Sequence, residues 1–290
     1  MRLEEQRESE NVEDRRGGGR GLRTGGGLGC GAILLVVVIS LLTGKDPSEL
    51  LRLLQAVPQV QEQVAPPAGI PPAARPADDR LGKFARRVLA STEDVWGQVF
   101  TESRARYEAP KLVLFDDQVA SACGYTSSAV GPFYCPADHR LYLDFSFFDE
   151  LARRFGAPGD FAQGYVIAHE VGHHVQNLLG IQDRVSQAQQ AARTRARANR
   201  LSVTLELQAD CLAGVWANRA NRAHPILEPG DIEEGLRAAA AIGDDRLQGM
   251  SQGYVQPESF THGSSQQRVE WLRRGLQAGE LKACQTARSP

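Results

Sequence analysis

Ala168-His169-Glu170-Val171-Gly172-His173-His174 decides how the chain is read. It holds H-E-x-x-H inside an apolar segment at 161–179, where Phe161, Tyr165, Ala168, Val171, Val175 and Leu179 follow the 3.6-residue period of a helix. Pro158-Gly159-Asp160 offers a turn and an N-cap, and Gly180 a stop. Residues four apart share a helix face, so His169 and His173 can present two imidazoles to one metal ion. Glu170 lies about 100° further round, placed to work on a water rather than to ligate. The bland alternative is a buried helix with two satisfied histidines. It is costly, because two buried imidazoles beside a buried carboxylate gain little without a cation.

A second stretch extends the pattern. Glu206-Leu207-Gln208-Ala209-Asp210 lies in an expected helix at 203–219, with Glu206 and Asp210 four apart on one face. A catalytic zinc commonly takes three protein ligands and keeps one position open. Glu206 would complete a His2Glu set with His169 and His173, and Asp210 would hold a ligand histidine by its free N–H. An exposed acidic pair is the alternative, and the apolar neighbours Leu205, Leu207, Ala209, Leu212 and Ala213 argue against it.

The composition is that of a globular protein, with 42% hydrophobic and 23% charged residues and a net charge of −2. No basic excess suggests nucleic acid. Arg193, Arg195, Arg197 and Arg200 lie in a stretch without aromatics and read as a solvated helix face.

The pattern divides the chain into four parts. Residues 1–26 are charged and Gly-rich, and are expected to be a disordered, basic cytoplasmic arm. Residues 27–44 carry no charge and read as a transmembrane helix, preferred over a cleaved signal peptide. The arginines before them predict a single-pass protein of the cell membrane, with its N-terminus cytoplasmic and its C-terminal domain extracytoplasmic. Residues 45–77 form a juxtamembrane and Pro-rich linker with prolines at 58, 66, 67, 71, 72 and 76. Residues 78–290 form the folded domain.

Within that domain, 81–100 reads as an amphipathic helix, 111–115 and 141–144 as strands, and 146–155 as a helix. A strand before the H-E-x-x-H helix can pair a substrate backbone at its free edge or can sit inside a small sheet, and the two readings are even. His262 stands at a loop-to-helix junction, as an oxyanion donor or as a surface histidine before a helix cap at Ser264 or Ser265, the latter favoured by sequence alone.

These features resemble those of the bacterial neutral zinc metallopeptidase family. The likeness rests on the 127–136 stretch Ser-Ser-Ala-Val-Gly-Pro-Phe-Tyr-Cys-Pro, on Tyr142-Leu143-Asp144, on 168–176 and on 206–216. The site also looks like that of gluzincin peptidases, whose order is H-E-x-x-H, then E-x-x-A-D, then T-H-x-S and an arginine. That likeness implies His169, His173 and Glu206 as zinc ligands, Glu170 as general base and Asp210 as their support. It sets His262 and Arg268 at the T-H…R positions, with Gly263 where that group commonly has proline. The implied fold is α+β and mainly α, a zincin-like domain with a small β-sheet packed on the H-E-x-x-H helix.

An oxidising compartment would favour disulfides. Cys123–Cys135 would close a local loop, and Cys211–Cys284 would tie the tail to the ligand helix, with buried free thiols an even alternative for the second pair.

The expected activity is membrane-anchored, zinc-dependent hydrolysis of peptide bonds in a protein or peptide substrate. The rivals are an inactive, zinc-stabilised envelope binding module, and an anchor whose residues 1–26 hold a cytoplasmic partner.

Overall fold

The computed structural model describes residues 1–17 and 79–286. The expected transmembrane helix at 27–44 and the linker at 45–77 lie outside the described residues. Among the described residues, no helix is long and apolar enough to cross a membrane.

The architecture mixes many helices with small sheets. Four strands form the main sheet, β1 (Val12–Asp14), β2 (Lys111–Leu114), β5 (Phe133–Cys135) and β6 (Arg140–Leu143), in the order β1-β2-β6-β5. β1 and β6 both run parallel to β2, whereas β5 runs antiparallel to β6 and ends the sheet. Between β2 and β5, β3 (Gln118–Ser121) and β4 (Gly124–Ser127) make a hairpin. Strand alternation sorts the side chains. Leu112, Leu114, Leu141 and Leu143 face the main core, while Val113, Phe115 and Tyr142 join Val119 and Cys135 in a smaller one.

The helices are α1 (Arg80–Glu102), α2 (Ser146–Arg153), α3 (Asp160–Leu178), α4 (Ile181–Gln190), α5 (Arg195–Ala223), α6 (Asp231–Ala241), α7 (Asp244–Gln252) and α8 (Ser265–Ala278). α3 is the H-E-x-x-H helix. It packs against α1, α5 and α6, and against β5. Its N-cap is Gly159, held at φ 126°, and Asp160 is the first helical residue instead of the expected cap. α8 starts with a capping box between Ser264 and Gln267.

Two glycine contacts bring the helices close. A Cβ on Gly172 would stand 3.0 Å from the Ala209 carbonyl, so α3 meets the α5 backbone at the site. A Cβ on Gly275 would stand 1.9 Å from the Cys211 carbonyl, so α8 lies directly on α5. Cys211 in α5 bonds Cys284 in the tail, and Cys123 in the turn between β3 and β4 bonds Cys135 in β5.

Residues 1–17 correct the expected disordered arm. They fold as one unit with the domain. Leu3 is 2% exposed and Ser9 is likewise buried. Arg7 reaches Asp94 at 2.6 Å and Glu93 at 2.9 Å. Arg16 holds Asp14 and Asp79 through one Nη2, at 2.7 Å each. The misreading has a physical cause. This arm carries few apolar residues and docks by guanidinium–carboxylate forks and a backbone ladder, which composition cannot distinguish from a solvated tail.

Candidate metal centre

Between α3 and α5, one ligand atom from each of His169, His173 and Glu206 lies within 4.8 Å of the others, and the two histidines approach the two oxygens of Glu206. His169 Nε2 lies 3.2 Å from Glu206 Oε2, and His173 Nε2 lies 3.4 Å from Glu206 Oε1. Three ligands at about 2.0–2.1 Å in a tetrahedral array stand roughly 3.3 Å from one another. The donor set therefore fits a zinc-sized cation.

Both histidines have their other nitrogen engaged. His169 donates from Nδ1 to Asp210 Oδ1 at 2.8 Å, and His173 donates from Nδ1 to Gln176 Oε1 at 2.9 Å. Each ring is thus fixed with Nε2 toward the cation position. Gln176 is itself held, donating to the Leu205 carbonyl at 2.8 Å and to Gln208 at 3.0 Å.

Asp210 is fully buried and saturated with donors. Tyr165 Oη donates to it at 2.5 Å, and Arg268 donates from Nε and Nη2 at 2.9 Å each. Burial works against the Asp210 carboxylate, but Arg268 and His169 outweigh it and hold its pKa down at about 2. Burial likewise disfavours the charged ring of His169, and Asp210 and Glu206 more than reverse this, raising it to about 10. The pocket thus draws positive charge, which a divalent cation would supply in competition with protons. Glu170 lies in the same pocket, and burial pushes its pKa up against the pull of His173 and His169.

A cleft of about 560 Å³ opens over these groups. Val130, Phe133, Phe147, Phe155, Ile242 and Leu247 give it apolar walls, and β5, the end strand of the sheet, runs along it. His262 reaches the cleft from the start of α8, with its side chain half exposed. Its Nδ1 donates to Asp244 Oδ1 at 3.1 Å. The other Asp244 oxygen accepts the backbone N–H groups of Thr261, His262 and Gly263 at 2.7, 2.6 and 3.0 Å. The Asp244 hydrogen bond raises the pKa of His262, partly offset by burial.

The structure thus brings His169, Glu170, His173, Glu206, Asp210, His262 and Arg268 to one place. The Cys123–Cys135 bridge secures β5 beside the cleft, and Cys211–Cys284 secures α5 behind it. Sequence reading missed Asp244, Gln176, Tyr165 and His174. Only His174 carried a signal, as a third histidine in the opening motif. Its Nε2 donates to the Glu108 carbonyl at 2.6 Å, and its Nδ1 accepts from Tyr134 Oη at 3.0 Å, so it links α3 to β5.

Residues 1–287 match the family model described as "Putative neutral zinc metallopeptidase", and the chain belongs to that family. It is 50% identical over 293 residues to "Uncharacterized protein YpfJ" of Escherichia coli (strain K12), covering 99% of this chain and 98% of that one. It is 42% identical over 257 residues to "Uncharacterized protein Rv2575" of Mycobacterium tuberculosis, covering 85% of this chain and 84% of the relative. No solved structure matches.

Proposed function

We propose that this protein is a zinc-dependent endopeptidase with a zincin-like site, brought to a membrane by the apolar run at 27–44. One observation carries the reading. A preformed His2Glu donor set shares an open cleft with a carboxylate, Glu170, that is not among the three ligands.

Zinc held by His169, His173 and Glu206 would supply Lewis acidity toward a carbonyl and toward water. The protein's own groups do the rest. Glu170, with its pKa raised by burial, takes the proton of the attacking water and returns it to the leaving amine. His262, whose charged form the Asp244 hydrogen bond favours, donates to the oxygen on which negative charge develops. The edge of β5 offers backbone groups to an extended peptide, and the apolar walls accept a bulky apolar side chain beside the scissile bond.

The alternative is an inactive, zinc-stabilised binding module. It gives Glu170 no task and needs no open cleft. The deciding experiment incubates zinc-loaded full-length protein with an unfolded protein substrate. Wild type should cleave, and Glu170→Gln should keep its zinc and lose cleavage. Equal cleavage by both would sink the mechanism, and none by either would favour the module.

A further inference from the structure

The arm and the metal domain are joined by backbone pairing. Val12, Glu13 and Asp14 run in parallel register with Leu112, Val113 and Leu114. The Leu112 N–H donates to the Asn11 carbonyl at 2.9 Å, and the Arg15 N–H to the Leu114 carbonyl at 2.8 Å. Specific side-chain contacts flank this ladder. The Ser9 hydroxyl donates to Glu93 at 2.6 Å, Arg7 grips Asp94 in the interior of α1, and Arg16 grips Asp79 at its N-cap. The family model includes residue 1, so the arm belongs to the family's shared sequence.

Because residues 1–17 pair with the edge of β2 and with the outer face of α1, we infer that arm and metal domain share one compartment. A strand ladder cannot act across a bilayer whose hydrocarbon core is about 30 Å thick. The number of complete membrane crossings between Gly17 and Asp79 is therefore even. That interval holds one uncharged eighteen-residue run, at 27–44, where two spans need about 20 apolar residues each. The single transmembrane crossing expected at 27–44 is therefore incompatible with this pairing. The two disulfides place the shared compartment on the oxidising side. This revises the expected division between a cytoplasmic arm and an extracytoplasmic domain. The basic residues that suggested it include Arg15 and Arg16, which are ion-paired to Glu13, Asp14 and Asp79. The inference stands whether or not the site cleaves peptides.

The test uses the full chain carrying Cys30→Ser, with a single reporter at exposed Glu10→Cys or at exposed Glu258→Cys. Intact spheroplasts are treated with a membrane-impermeant maleimide, and lysed samples establish that each thiol is competent. Equal labelling at both positions, or equal protection, is the expected result. Labelling at one and protection at the other would overturn the shared compartment. A second variant, Arg7→Cys with Asp94→Cys, reads docking directly. The membrane-bound chain should carry an internal 7–94 cross-link of altered gel mobility, either as a disulfide or, after mild reduction, through a short bifunctional maleimide, and absence of both would overturn the docking.

Discussion

Arg268 and Asp210 form a buried fork, joined at 2.9 Å by both Nε and Nη2. The same carboxylate orients His169, so α8 supports a candidate metal ligand on α3 through α5. Removing the guanidinium leaves an uncompensated buried charge. Arg268→Ala should destabilise the protein by about 3–5 kcal/mol, read from urea unfolding. Lysine cannot reproduce the fork, so Arg268→Lys should recover only part of that loss. A change under about 1 kcal/mol in the alanine variant would contradict this account.

Asp244 governs the protonation of His262, and the sign follows from the raised pKa. The charged imidazole persists below that raised pKa and is lost as pH rises through it. Asp244→Asn removes the acceptor charge, so the alkaline limb of kcat/KM should move to lower pH. His262→Gln should lower kcat and remove the limb. A limb unmoved in both variants would assign it to another group.

Gly172 sets the distance between the two ligand helices. An added methyl meets the Ala209 backbone at about 3 Å and pushes α5, with Glu206, away from the histidines. Gly172→Ala should cost about 1–3 kcal/mol by overpacking and should weaken zinc retention in a chelator titration. Gly275→Ala, with a contact of 1.9 Å to the Cys211 carbonyl, should be worse in stability. Wild-type zinc retention in Gly172→Ala would show that the helices adjust freely.

The disulfides separate stability from substrate binding. Each closes a loop, of 12 and 73 residues in sequence separation. Loss of either should cost about 3–5 kcal/mol in the loop-entropy view. Cys135 lies in the cleft strand, so Cys123→Ser with Cys135→Ser should raise KM more than it lowers kcat. Cys211→Ser with Cys284→Ser should lower melting temperature and zinc retention together. The reverse assignment would mean that β5 does not bind substrate.

Helical spacing made His169, His173, Glu206 and Asp210 legible, because ligands four apart leave a periodic trace. Asp244 left none. It acts through the backbone N–H groups of residues 261–263, and backbone donors carry no residue signature. Asp160 reads as a cap by rule, yet Gly159 takes that place and Asp160 accepts the Met1 ammonium at 2.6 Å. The apolar runs at 111–115 and 141–144 marked strands, but β1, the other parallel neighbour of β2, lies among charges. α6 and α7 escaped notice because segments of eleven and nine residues complete only two to three helical turns, too few for a pattern to stand out.

The pairing of Val12 with Leu112 also sets an order of events during synthesis. The first strand to leave the ribosome must wait a hundred residues for its partner. Closing so long a loop is entropically slow, whereas α3 and α5 can meet across a short turn through α4. The ligand helices should therefore assemble early in refolding, with the N-terminal strand joining as a late phase. Until then the edge of β2 is an open template for another chain, and Lys111 is the one charge on that strand to discourage it.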